Sequence, residues 1–279
     1  MAFQILDKNG NLKETIGILP AASFPALTGA VTTSAGSLVT TIILTEFSVT
    51  TTGNIDDLDF SNANTIRMNN ASLATIRGLK AGVAGQQVTI VSVGAGEVDL
   101  AHQNTGSVAA NRLLLPVTSA NMPMAAGVGS SIFEYDVTTG RWRLVFFTQG
   151  AAITPAFSAA NFVASSGTWT VAAGNVNSFK YTLLPSGLLI VAYDLRSTSI
   201  TGGTAGYLEI NLPGGFHTLV TSSTALFGID NGTNIATLVQ GGLGAAFTYS
   251  LTNYRIDVAA WALSTSNTGL RGTIFVPVS

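Results

Sequence analysis

The chain has 279 residues, enough for one or two domains. Only 9% of them are charged, against about 25% in an ordinary globular domain. The 12 Lys and Arg stand singly apart from Arg141 and Arg143, and the net charge is −2, which excludes the basic stripe that nucleic-acid binding needs; the absence of Cys excludes disulfides.

Residues 1–27 read as an arm. MAFQILDKNGNLKE holds one strand-like piece and a turn at Asn9-Gly10. It is charged by residue 7 and has no apolar run of the kind a secretory signal needs, so no signal peptide is expected. In ILPAASFP, Pro20 and Pro25 force extended backbone around them. Such a piece is expected to dock onto a partner. Residues 28–48 are rich in Thr, Ser and Gly and hold no heptad. They read as an extended strand or stalk that pairs with copies of itself.

Residues 49–148 read as a first β domain. VTTTGNIDDLDFSN turns at Gly53-Asn54 and places a short strand around Leu58 and Phe60. TIRMNN and ATIRGLK follow as two strands about Asn69-Asn70. QQVTIVSVG alternates Val88, Ile90 and Ser92 against Thr89, Val91 and Val93. Gly94-Ala95-Gly96 then turns the chain into EVDLAHQ, the pattern of a hairpin. NRLLLP, SIFEYDV and RWRLVFF complete the set, the last two joined at Thr138-Thr139-Gly140. About eight strands in about 100 residues is the spacing of a sandwich or jelly roll. Val88, Ile90, Leu113, Leu115, Phe133 and Trp142 are expected to be buried.

Residues 149–156, QGAAITPA, read as a linker. Residues 157–279 read as a second β domain, with strands in TWTVAAG, FKYTLL, LLIVAYDL, GYLEINLP, TALFGID, ATLVQGG, FTYSL, YRIDVAAWAL and LRGTIFVPV. The turns between them are Gly-rich: Thr201-Gly202-Gly203, Pro213-Gly214-Gly215, Asn231-Gly232 and Gly241-Gly242. No short internal repeat stands out, which disfavours a β-helix or propeller. The expected fold is therefore all-β: two consecutive antiparallel β-sandwich or jelly-roll-like domains after an extended N-terminal arm over 1–48. No window holds about 18 consecutive apolar residues, so helices crossing a membrane are not expected. A chain that is 47% hydrophobic and so poor in charge is best kept soluble by burying surface between subunits, because interface cores lose charged residues.

Three segments resemble known proteins. LTGAVTTSAGSLVTTI at 27–42 resembles the Leu-Thr-Gly-Asp-Val-Thr segment near the start of many tailed-phage fibre proteins, with Ala30 where that pattern has Asp. Residues 76–145, with VTIVSVGAGEVDLAHQ, SVAANRLLLP and FEYDVTTGRWRLV, resemble a small β domain common in phage tail and head fibres. SGTWTVAAGNVNSFKYTLLPSGLLIVAYDL and INLPGGF are similar to the C-terminal β-sandwich heads of such fibres. The resemblance implies a structural virion protein: a homotrimeric tail fibre whose residues 1–27 join other virion proteins and whose head binds a host-surface glycan or protein. A head fibre or capsid-decorating protein and a polysaccharide-degrading tail spike are the alternatives. Virion localisation after synthesis in the host cytoplasm is implied, without membrane insertion, nucleic acid or cofactor.

Candidate chemistry is sparse. His102 and His217 are far apart, and zinc needs about four ligands, so His102 reads as a surface or interface residue, or at most an axial ligand in a trimer. Asp56, Asp57 and Asp59 cluster as calcium ligands can, but without a calcium-loop pattern they read as solvated edge-strand carboxylates. Glu134 and Asp136 share one strand face, the pairing that could cleave a glycosidic bond. Arg141 and Arg143 across the turn are their natural partners, so the four read as structural and the chain as no enzyme. Receptor contacts are expected from aromatic and amide side chains of the second domain: Tyr207, Phe216, His217, Asn231, Asn234, Tyr249 and Tyr254, on or near loops at 201–206, 214–217, 230–234 and 264–269. Trp261 in VAAWAL reads as core.

Overall fold

The computed structural model describes the backbone of 3–6, 12–16, 31–32 and 41–42, and then residues 45–61, 63–218, 222–241 and 250–278. Among these the fold is all-β, with no helix of seven or more residues. Two small antiparallel pairs come first: β1 (Phe3–Leu6) with β2 (Leu12–Ile16), and β3 (Val31–Thr32) with β4 (Thr41–Ile42).

The first domain starts as a coil of parallel strands. β5 (Glu46–Val49), β7 (Thr65–Met68) and β9 (Gln87–Ser92) stack in register in one sheet. β6 (Gly53–Ile55), β8 (Ala74–Ile76) and β10 (Val98–Leu100) stack in the other. The chain thus passes from the first sheet to the second three times, as in a short β-helix, and like positions lie above one another. Phe47, Ile66 and Ile90 form one apolar ladder, and Ile55, Ile76 and Leu100 form another facing it. This corrects the expectation against a β-helix. The coils differ in length, Glu46 to Thr65 and then Thr65 to Thr89, so no fixed repeat marks them in the sequence.

The expected hairpin at Gly94-Ala95-Gly96 is corrected too. β9 and β10 do not pair; the turn carries the chain into the other sheet. A Cβ on Gly94 would lie 2.3 Å from the Asn70 carbonyl oxygen, and one on Gly96 would lie 2.2 Å from that of Ser72. The glycines let this corner press onto the corner of the preceding coil. Asn70, fully buried, links the two corners by donating Nδ2 to the carbonyls of Ser72 (2.7 Å) and Glu97 (3.0 Å).

The coil is closed by β11 (Leu113–Leu114), β12 (Met122–Met124), β13 (Ser130–Asp136) and β14 (Arg141–Thr148). β12 pairs antiparallel with β10, while β13 bridges β9 and β14, both antiparallel. The β13–β14 hairpin turns where the sequence predicts. All six side chains expected in the core are buried. Trp142 is fully buried between Phe60 and Tyr135, with ring centroids 5.8 and 5.2 Å away, and its Nε1–H donates to the carbonyls of Leu79 and Lys80.

The second domain is one strongly curved sheet of nine antiparallel strands: β15 (Phe162–Ala164), β16 (Thr168–Thr170), β17 (Val176–Leu183), β18 (Leu188–Thr201), β19 (Leu208–Asn211), β20 (Ser222–Asp230), β21 (Thr233–Gly241), β22 (Ser250–Arg255) and β23 (Ser264–Pro277). Its order is β15-β19-β22-β21-β20-β23-β18, with β16 and β17 both on the far side of β18. Phe162 of β15 meets Trp169 of β16 edge-on at 5.7 Å, so the two ends of the sheet come together almost as a barrel. The antiparallel sandwich-class expectation holds here. YRIDVAAWAL, however, is not one strand. β22 stops at Arg255, 256–260 project into solvent, and the chain rejoins the fold at Trp261, which pairs with Ala205.

The two domains touch. Val117 lies 3.9 Å from the Cβ position of Gly187, and the His217 N–H donates to Ser119 Oγ at 3.4 Å. Between the domains, Ile153 pairs with Tyr181 of β17, and Gln149 is buried. The beginning of β18 and the end of β23 therefore face the first domain. At about 3.3 Å per residue, β18 carries its other end roughly 45 Å away.

Candidate functional site

The antiparallel register decides which loops meet. Thr201 ends β18, Asp230 and Thr233 flank the β20–β21 turn, and Ser264 opens β23. All lie at the end of the second domain remote from the first. There Thr201, Gly202, Asn231, Leu263, Thr265 and Asn267 line an open cleft of about 470 Å³. The turn is the Asn-Gly pair read from the sequence: Asn231 has φ +46° and Gly232 φ +82°, the left-handed pair that a two-residue hairpin turn requires. The Gly232 N–H donates to the Asn267 carbonyl at 2.8 Å, and the Ser266 N–H to Ser199 Oγ at 2.8 Å. These bonds tie the loops to one another. The rim presents uncharged hydrogen-bonding groups and one large exposed apolar side chain, Leu263.

A second feature of this end was not foreseen. Residues 256–260 are all exposed, and Val258 is 95% exposed with φ +55°, an outlier for a β-branched residue. The loop is anchored by Asp230, almost wholly buried, which pairs with Arg255 and accepts the Ala262 N–H at 2.9 Å. Arg255 also holds Asp257, whose carboxyl it pulls below the usual range.

The predicted receptor residues separate into groups. Asn231 lines the cleft and Asn234 is exposed at the start of β21. Tyr207 and Tyr254 come together, ring centroids 5.3 Å apart, where β19 and β22 pair. Burial, then Tyr207 and Glu209, raises the Tyr254 hydroxyl pKa. Phe216 is corrected: it is fully buried against Tyr181 and offers a receptor nothing. Its Pro-Gly-Gly approach resembles an exposed loop, but that turn folds the ring inward. His217 is half-buried beside Ser119 at the junction, and the 214–217 loop lies at the opposite end from the other three. Tyr249 lies outside the described residues. Trp261 is core, as expected.

The other candidates have structural partners. Asp56 and Asp59 are exposed just past the edge strand β6, as expected of solvated edge carboxylates, and the trio also staples successive coils. Asp56 grips Arg77 (2.6 Å), Asp59 grips Lys80 (2.6 Å), and Asp57 accepts from the Val108 N–H (3.0 Å) and Asn111 Nδ2 (2.8 Å). Arg143 meets Asp136 at 2.5 Å and holds its carboxyl down to about 2, helped by Thr139 and the turn amides. Glu134 accepts from Gln87 Nε2 at 2.9 Å. Arg141 turns away to Gln103 and to the carbonyls of Thr139 and Gly140. His102 Nδ1 accepts the Leu115 N–H at 3.0 Å, and burial pushes its pKa down. Among the described residues no three His, Asp or Glu are placed to hold a metal ion. Comparison with protein-family models gave no match, and comparison with curated proteins gave none.

Proposed function

We propose that the chain is a structural virion protein, a tail fibre that attaches the particle to a host-surface glycan through the far end of its second domain, and that it is not an enzyme. The observation that carries this reading is the gathering of three loops, 201–206, 230–234 and 264–269, at the end remote from the first domain. Their exposed groups are Thr, Ser, Asn and Gly, which exchange hydrogen bonds with sugar hydroxyls without the desolvation cost of charged groups. The Tyr207–Tyr254 pair beside them supplies the aromatic surface that sugar rings stack on.

Self-assembly belongs to the same proposal. Beyond its short pairing with β11, the outer edge of β14 has no strand partner among the described residues, and it carries exposed Val145 and Phe146 beside a groove lined by Leu114, Leu115 and Pro116. A free apolar edge invites association unless it is covered, and a homotrimer would cover it. Mass measurement in solution tests this, because a 28.7 kDa particle would refute the trimer. Binding of the purified chain to host cells tests attachment. Thr201→Arg with Asn231→Arg should abolish it, as should periodate oxidation of the surface sugars; binding that survives both would refute the glycan.

A further inference from the structure

Just below the distal loops, β18, β20 and β23 enclose a cleft of about 250 Å³. We propose that it binds an acidic sugar, a pyranose bearing a carboxylate of the uronic-acid class, with the Arg271 guanidinium as the carboxylate receptor. The proposal rests on the glycan reading above and names the class of sugar.

Two guanidinium groups and one carboxylate lie along this cleft. Arg196 is committed, with Nε 2.9 Å from Asp194 Oδ1 and Nη2 2.5 Å from Oδ2. Asp194 also accepts Asn177 Nδ2 at 2.8 Å. Arg271 stands opposite Asp194 in the β-ladder, yet it forms no ion pair among the described residues. Its guanidinium carbon lies 5.0 Å from the centre of the Phe227 ring. The Arg271 side chain is exposed and its N–H groups make no hydrogen bond among the described residues, so its planar fork can take a carboxylate in two parallel hydrogen bonds. The local charge of one surplus cation suits a monoanion. Asp194 opposes a dianion such as phosphate.

The apolar wall completes the match. Phe227 is 37% exposed, and the half-buried Ile229 lines the cleft beside it. They suit the C–H face of a sugar ring. The cleft is built into the backbone. The β18–β23 register slips between Leu195 and Thr198, with Ser197 at φ +56°, and such bulges re-aim neighbouring side chains. A Cβ on Gly269 would lie 2.7 Å from the Leu195 carbonyl oxygen, so only glycine lets the strands close up here.

The test titrates the full chain with sodium glucuronate, with glucose as the neutral control and inorganic phosphate as the competing anion, read by calorimetry or amide chemical shifts. Glucuronate is expected to bind about tenfold tighter than glucose, the scale of one charge-assisted bidentate pair. Arg271→Gln removes that preference, and Arg271→Lys, which keeps the charge without the fork, restores only part of it. Equal affinity for glucuronate and glucose, or an unchanged preference in Arg271→Gln, would overturn the proposal. Phosphate binding as tightly as glucuronate would overturn the assignment to a sugar. If Arg271→Gln binds host cells as well as the unaltered chain does, the acidic-sugar site fails and the glycan reading stands. If the unaltered chain does not bind the cells, the reading itself fails.

Discussion

Replacing Gln149 by Ala should destabilise the protein far more than a change in a loose tether would. The sequence places Gln149 at the start of a linker, but its side chain is 2% exposed and makes three hydrogen bonds. Nε2 donates to the carbonyls of Ala151 (2.8 Å) and Tyr181 (3.0 Å), and Oε1 accepts the Leu183 N–H at 2.6 Å. Tyr181 keeps a second donor, the Ile153 N–H at 2.9 Å, and Ala151 is exposed and can turn to water. Leu183 N–H has no such alternative and is left orphaned in the interior. An orphaned buried donor costs about 1–3 kcal/mol, and each ordinary hydrogen bond lost about 1 kcal/mol. The sum is about 3 kcal/mol, a fall in Tm of roughly 5 °C for a chain of this size. Thermal melts followed by near-UV circular dichroism measure it, with the exposed change Ala151→Ser as control. A Gln149→Ala protein within about 0.5 kcal/mol of the unaltered one would show that the segment is a passive tether.

Three further outcomes are expected. Glu97 and Asp99 lie two residues apart beside Asn121 and near Tyr181 of the second domain. Burial, then the charge of Asp99, raises Glu97 to about 7, and burial raises Asp99. A folded value above the unfolded one of 4.5 means that the contribution to stability is complete below that value and lost as the pH climbs to about 7; Tm should fall over this window and Glu97→Gln should flatten the fall, whereas a flat or rising Tm in the unaltered protein would contradict it. Val258→Asn should raise stability by about 1 kcal/mol, because Asn tolerates the left-handed conformation that Val resists; denaturant unfolding checks it. Gly96→Ala should cost about 1–3 kcal/mol, since its Cβ would meet the Ser72 carbonyl at 2.2 Å. A variant as stable as the parent in urea would show that the corner does not pack as described.

What could be read in the sequence was local. The alternation of Val88, Ile90 and Ser92, the Thr138-Thr139-Gly140 hairpin with Asp136 and Arg143 across it, and the Asn231-Gly232 turn all depend on neighbours within a few residues, and all stand. Pairings set by distant partners were not legible. Gly94-Ala95-Gly96 announces a turn in either geometry, and only Asn70 and Ser72, a coil earlier, decide that the chain changes sheets. Phe216 was misread for the same reason: its burial depends on Tyr181, far away in the chain. The distal loops were legible as loops, but their meeting follows from the long register of β18 with β23, and the Arg271 cleft from the bulge within it. In a chain with so few charges, Asp194 and Arg196, two apart on one strand face, were the available clue to that cleft.

The most direct test of the attachment account is the place of the distal end on a particle. Gold-labelled antibody against residues 256–263, which form the exposed loop and its edge, can be imaged on intact virions by electron microscopy. The account predicts gold at the free tips of fibres that project from the tail. Gold spread over the capsid shell, or particles that carry none, would contradict it.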